Sequence, residues 1–140
     1  MDDLVRNRAD DTAPDIIQAG DHRIAAGEIE QVLESFDDVL EAACVAGTEG
    51  VAAFVVLAQG VRATDILEAE LKGLVRREVG PAAVPARLQF VPALPRTKAG
   101  HLARRVLRKV GAGDLANLGD PAALANPEVL DDLLKKPTPA

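Results

Sequence analysis

Two apolar runs, Val39 to Val45 and Val51 to Leu57, stand either side of Gly47-Thr48-Glu49-Gly50. Both are built from β-branched and small apolar residues, and the connection has the length and composition of a hairpin turn. The second run is apolar at nearly every position. A strand with one face in water alternates polar and apolar residues. This one does not, so it predicts a central strand covered on both faces. Whatever the chain folds into must supply a layer on each side of a sheet.

The flanking segments can supply those layers. In Ala26 to Phe36 the residues Ile29, Val32, Leu33 and Phe36 fall at i, i+3, i+4 and i+7, a helical stripe. Glu28 and Glu30 lie near the positive end of that helix and read as structural. Thr64 to Val79 predicts the longest helix, with Thr64 as N-cap, Leu67, Leu71, Leu74 and Val75 inward, and Gly80-Pro81 as the stop. Arg87 to Val91 reads as a strand. Ile16-Ile17-Gln18 and His22-Arg23-Ile24 read as a short hairpin about Ala19-Gly20-Asp21. This order predicts an α+β fold: a small β-hairpin, then a roughly three-stranded sheet flanked by helices. Residues 15–110 form the domain. Residues 1–14 read as a flexible N-terminal, hinge-like segment, and 111–140 as a tail with a short helix at Pro127 to Leu134.

With no Trp or Tyr and only three Phe, the core must be aliphatic. The lone cysteine, Cys44, lies inside an apolar run and reads as a small buried hydrophobe. Absence of paired cysteines and of a signal-peptide pattern at Met1-Asp2-Asp3 predicts a cytoplasmic protein. No apolar run approaches the roughly 20 residues of a membrane helix. No His/Cys cluster has metal-ligand spacing, so no metal is expected. The net charge is −6, with acids crowded before Glu41 and bases dominating from Lys72 to Lys109. That asymmetry points to phosphate-bearing small molecules or an acidic protein surface as partners. Nucleic acid is disfavoured, because stacking aromatics are missing.

The basic segment is Leu94 to Lys109. It reads as a loop turning at Gly100 and feeding an amphipathic helix. Leu102, Val106, Leu107 and Val110 would pack inward. Arg104, Arg105, Arg108 and Lys109 would fall largely on the opposite face, in water.

Pro95-Arg96-Thr97-Lys98-Ala99-Gly100-His101, followed by Arg104-Arg105-Val106-Leu107-Arg108, resembles a signature of the AMP-forming acyl-CoA synthetases, the adenylate-forming ligases. Their form is Pro-Lys-Thr-x-Ser-Gly-Lys and then x-x-Arg-Arg-x-Leu-Arg. The resemblance runs from Arg8 to about Lys135, and the C-terminal part is most similar to acetyl- and propionyl-CoA synthetases. It covers only the family's small C-terminal lid domain. It implies that ATP and CoA are bound only together with a large N-terminal domain, and that no cofactor is held by this chain alone.

The same resemblance assigns residues. The family's lysine, which stabilises charge during acyl-adenylate formation, is His101 here. Arg8-Ala9-Asp10-Asp11 resembles the hinge, making Arg8 a nucleotide-ribose contact and Asp10, or alternatively Asp15, the pivot. His22-Arg23 matches the family's His-Arg, with Arg23 meeting nucleotide phosphate. Gly20 and Asp21 stand where small residues line the pantetheine tunnel, and Asp21 would add bulk and negative charge there. Val75-Arg76-Arg77-Glu78-Val79-Gly80-Pro81 resembles the acetyl-CoA synthetase helix end, where Arg76 would contact CoA; a solvated arginine at a helix terminus is the plainer alternative.

Two functions follow from the resemblance. The chain is the lid of an acid–thiol ligase, inactive by itself and impaired in adenylation by His101. Alternatively it is a non-catalytic binding or regulatory module that docks on a synthetase or another acidic protein surface.

Overall fold

The computed structural model describes residues 16–19, 22–48, 50–113 and 124–134. Strands β1 (Ile16–Ala19) and β2 (His22–Ala25) form an antiparallel hairpin, and helix α1 (Ala26–Glu34) follows at once. Strands β3 (Val39–Gly47) and β4 (Gly50–Leu57) form the second hairpin. Helix α2 (Asp65–Glu78) crosses to β5 (Arg87–Phe90), which pairs with β4 in parallel. A parallel pair requires such a crossover, and α2 supplies it. Helix α3 (Arg104–Gly111) and the short α4 (Val129–Leu134) complete the described chain. The α+β expectation and the three-stranded sheet with a central β4 both hold.

Strand β4 shows why its sequence does not alternate. Val51, Ala53 and Val55 enter one apolar cluster with Ile17 and Ile24 of the hairpin, Ile29 and Leu33 of α1, and Leu67, Leu71 and Val75 of α2. Ala52, Phe54 and Val56 enter the other, against Val106, Leu107 and Val110 of α3 and Val129 and Leu133 of α4. Each large aliphatic buried this way contributes about 1.5–3 kcal/mol, so both layers count in holding the sheet. The α2 stripe is as the period predicts, with Leu74 only partly buried. The Thr64 hydroxyl accepts the Leu67 N–H at 3.1 Å, the cap its position foretold.

Strand β3 carries a bulge. Val39 pairs with Leu57, but Glu41 already pairs with Val56, leaving Leu40 as the extra residue. The bulge turns Leu40 out to solvent, 66% exposed. It also lets Val39 face the same cluster as Ala42 and Cys44 despite the change of parity.

Helix α3 lies very close to β3 at Gly111. A Cβ there would stand 2.9 Å from the Ala46 carbonyl oxygen and 2.9 Å from Val45 Cγ2. In an open helix Gly→Ala gains about 1 kcal/mol. Here overpacking, about 1–3 kcal/mol, wins. Gly111→Ala is expected to lower Tm by several degrees in a thermal scan; a rise would mean the helix can back away freely. Among the described residues no helix is long and apolar enough to cross a membrane, and no cluster of His, Cys, Asp or Glu could hold a metal ion.

Candidate functional site

The loop carrying His101 is a small sheet in miniature. Thr97 C=O accepts the Gly100 N–H at 2.8 Å, closing a turn that places Gly100 at φ +91°. That conformation suits glycine and strains other residues. Thr97 N–H donates to His101 C=O at 2.8 Å, and His101 N–H donates to the Thr97 hydroxyl at 3.2 Å. The backbone of His101 is thus held twice by Thr97, while its side chain is exposed, as are Lys98 and Ala99. The loop presents a fixed backbone and a free imidazole.

Below the tip, Ala103 N–H donates to Pro95 C=O at 2.8 Å, and Arg96 bridges Leu102 in antiparallel fashion. The Arg96 guanidinium pairs with the Glu41 carboxylate on β3. On the loop's other side lies the segment 124–126. Nothing in the residue pattern announced these ties, since Arg96 and Glu41 are 55 residues apart.

Arg104 corrects the sequence expectation. It does not lie in water; it is 4% exposed and pairs bidentately with Glu30, Nη1 to Oε2 and Nη2 to Oε1, both at 2.8 Å. Glu30 Oε2 also accepts the Cys44 N–H at 2.8 Å, and Glu34 accepts the Ala42 N–H at 3.0 Å. Strand β3 is the sheet's edge, so these carboxylates of α1 occupy amides that would otherwise be open to another strand. A signal was available. Glu30 falls at i+4 from Ala26 and one residue past Ile29, on the inner face of its helix, and Arg104 lies three residues before the buried Leu107. A charge on an apolar face predicts a partner. Glu30 is therefore structural, as expected, and the basic face of α3 loses one of its four cations.

Cys44 is fully buried, as expected. Burial foremost, with Glu30 adding to it, pushes its thiol well above the ordinary value, while Arg104 pulls the other way. The folded thiol stays protonated where an unfolded one ionises. Stability is therefore undiminished below about pH 8.5 and falls as pH rises beyond it, by up to about 1.4 kcal/mol per pH unit. Urea titrations from pH 7 to 10 should show that slope, and Cys44→Ala should remove it. An unchanged slope would place the proton loss elsewhere.

Arg87, on β5, reaches beneath α3. Its Nη2 donates to Gln89 Oε1 at 2.6 Å and its Nη1 to Val110 C=O at 3.4 Å, with the guanidinium 5.7 Å from the Phe54 ring centroid. Burial lowers its pKa. A cation at a helix C-terminal carbonyl suits the dipole, and this arginine serves packing.

A cavity of about 410 Å³ lies between β2 and the end of α2, lined by Arg23, Ile24, Glu28 and the run Val79 to Ala83. It sets Arg23 beside the residues that follow α2; Arg76, exposed in the last turn of α2, does not line it. His101 is not among its lining residues. The sequence-predicted residues thus divide in two: Arg23 beside the α2 terminus at the cavity, and His101 on its own loop. Arg8, Asp10, Gly20 and Asp21 lie outside the described residues, as does Asp15.

Comparison with known proteins gives a consistent picture. Residues 28–101 match the family model described as AMP-binding enzyme C-terminal domain. Acetyl-coenzyme A synthetase of Caulobacter vibrioides is 43% identical over 86% of this chain and 20% of its own length. Acetyl-coenzyme A synthetase 2 of Pseudomonas putida is 43% identical over 87% and 20%. Among solved structures, a Brucella canis acyl-CoA synthetase superposes with TM-score 0.66 at 36% identity, over 71% of this chain and 19% of that one. The chain spans about a fifth of the curated relatives it matches. The acetoacetyl-CoA synthetase of Streptomyces lividans, TM-score 0.68 at 23% identity, shares the fold over 89% of this chain.

Proposed function

This chain belongs to the AMP-binding enzyme C-terminal domain family, and from that premise we propose that it is the lid of an AMP-forming acyl-CoA synthetase, closing over an acyl-adenylate held by a large domain. ATP and CoA are then ligands of the pair and not of this chain alone. The observation that carries the reading is the exposed His101 on a loop whose backbone Thr97 holds twice. That geometry suits a side chain delivered to a ligand outside the domain.

In this reading the two halves of the reaction use different parts of the chain. Adenylation places new charge on the transferring oxygens and needs a fixed cation beside them. At about 4 Å and an effective dielectric near 20 such a cation contributes up to ~4 kcal/mol. The His101 imidazole is shorter than a lysine side chain and does not carry a terminal ammonium, so it recovers little of this. Thioester formation does not call on position 101. It uses Arg23 toward the nucleotide phosphate, Arg76 toward CoA, and the path past Gly20 and Asp21, with Arg8 and Asp10 at the hinge. Arg23 lines the cavity beside the residues that follow α2, which supports its role as a ligand contact.

The test mixes the chain with the large domain of a relative lacking its own C-terminal domain. Acyl-adenylate and CoA are supplied, and acyl-CoA is measured. The lid reading expects faster thioester formation than the large domain gives alone. No gain at any chain concentration would remove it.

A further inference from the structure

The family match ends at residue 101, yet the signature loop rests on residues beyond it. Asn126 straddles Pro95: its Nδ2–H donates to Leu94 C=O at 2.8 Å, and its Oδ1 accepts the Arg96 N–H at 2.8 Å. Ala125 N–H donates to Arg96 C=O at 2.8 Å, and Leu124 bridges Thr97. Both backbone groups of Arg96 turn toward the tail, while Pro95 C=O and Thr97 N–H turn the other way, to Ala103 and His101. The stretch 95–97 is the middle ribbon of three, and every backbone polar group from Leu94 C=O to Thr97 C=O has a partner.

The tail is itself anchored. Asn126 C=O accepts the Val129 N–H at 3.1 Å, opening α4. Val129 and Leu133 of that helix are buried in the second apolar cluster. Pro127 confines Asn126 to extended backbone, the conformation a bridging ribbon needs. A continuous path therefore runs from the core through α4 and Asn126 to residues 94–97, and through Thr97 to the backbone of His101.

We propose that Asn126 is a positioning residue for the loop tip 98–101, and that Leu124 to Leu134 is a strap fixing where that tip stands. The catalytic consequence rests on the lid reading above; the positioning does not. The amide offers one donor and one acceptor at once, and both are used. Aspartate would keep the acceptor for Arg96 but set a second oxygen against the Leu94 carbonyl. Alanine would lose both bonds.

The test uses the full chain. Amide hydrogen exchange by NMR is followed at Arg96, Thr97 and His101, with the β4 amides as reference. In Asn126→Ala the Arg96 and Thr97 amides should exchange at least about tenfold faster while β4 is unchanged, with Asn126→Asp intermediate. Should the alanine variant fail to fold, the aspartate variant carries the same comparison. Unchanged exchange at Arg96 and Thr97 overturns the proposal. In the mixture with the lidless large domain, adding Asn126→Ala to a His101→Lys chain should lower pyrophosphate exchange about tenfold while thioester formation from supplied acyl-adenylate is unchanged, a split that mere loss of folded chain would not give. If the His101→Lys chain accelerates exchange and adding Asn126→Ala leaves that acceleration equal, the positioning role fails and the lid reading stands. If wild type gives no acceleration of thioester formation, the lid reading fails with its catalytic consequence, and the amide exchange rates alone decide the positioning.

Discussion

Replacing Arg104 by alanine is expected to destabilise the domain by about 3–5 kcal/mol. The reason lies in what is left behind. Glu30, 7% exposed, would keep its charge in a dry setting with, among the described residues, only the Cys44 amide bonded to it. The intact pair needs no large net value for this to hold, since the cost comes from orphaning one ion and not from the bond removed. Urea denaturation should show the loss directly, and Tm should fall on the order of 10–20 °C. Glu30→Gln combined with Arg104→Met is the informative companion. It leaves no buried charge and keeps an acceptor for Cys44 N–H, so it should cost less than Arg104→Ala alone. If the single change costs under about 1 kcal/mol, Arg104 is solvated and the burial described for it is wrong.

Changing His101 to lysine should do the opposite: leave stability within about 0.5 kcal/mol, because the side chain is exposed, and transform adenylation. With a large domain present, a restored cation supplying up to ~4 kcal/mol corresponds to as much as roughly a thousandfold in rate. Pyrophosphate exchange reads this half reaction alone. Lys98→Ala is the control. Lys98 sits inside the turn closed by Thr97 and Gly100 and should change the rate little. A wild-type rate already matching the lysine variant would show that position 101 has no part in adenylation.

Much of this architecture was legible in the residues because local rules and tertiary demands agree. Strand β4 is apolar throughout and is covered on both faces; α2 carries both its cap and its stop, and both are used. What pattern reading missed was long-range and polar. The helical period sent Arg104 outward with its neighbours, although its spacing to Leu107 placed it inward. Its partner lies 74 residues away, and no local rule joins them. The clamp by Asn126 was equally hidden, since Asn-Pro reads simply as a turn until Leu94 and Arg96 are found beside it. The bulge at Leu40 could not be read from the run, because an extra residue in one strand shows only when its partner strand is set beside it. The residues assigned by resemblance divide similarly: Arg23 lines a cavity, Arg76 is exposed on the last turn of α2, and His101 owes its place to a loop braced from both sides.

The most direct measurement grafts this chain onto the Caulobacter vibrioides acetyl-coenzyme A synthetase in place of the fifth that it matches, and follows both half reactions. The account predicts that the graft forms acetyl-CoA from supplied acetyl-adenylate well above the lidless enzyme. It also predicts that the graft adenylates acetate up to about a thousandfold more slowly than the parent, until His101→Lys restores the rate. A graft no better than the lidless enzyme at thioester formation, or one whose adenylation ignores residue 101, would contradict it.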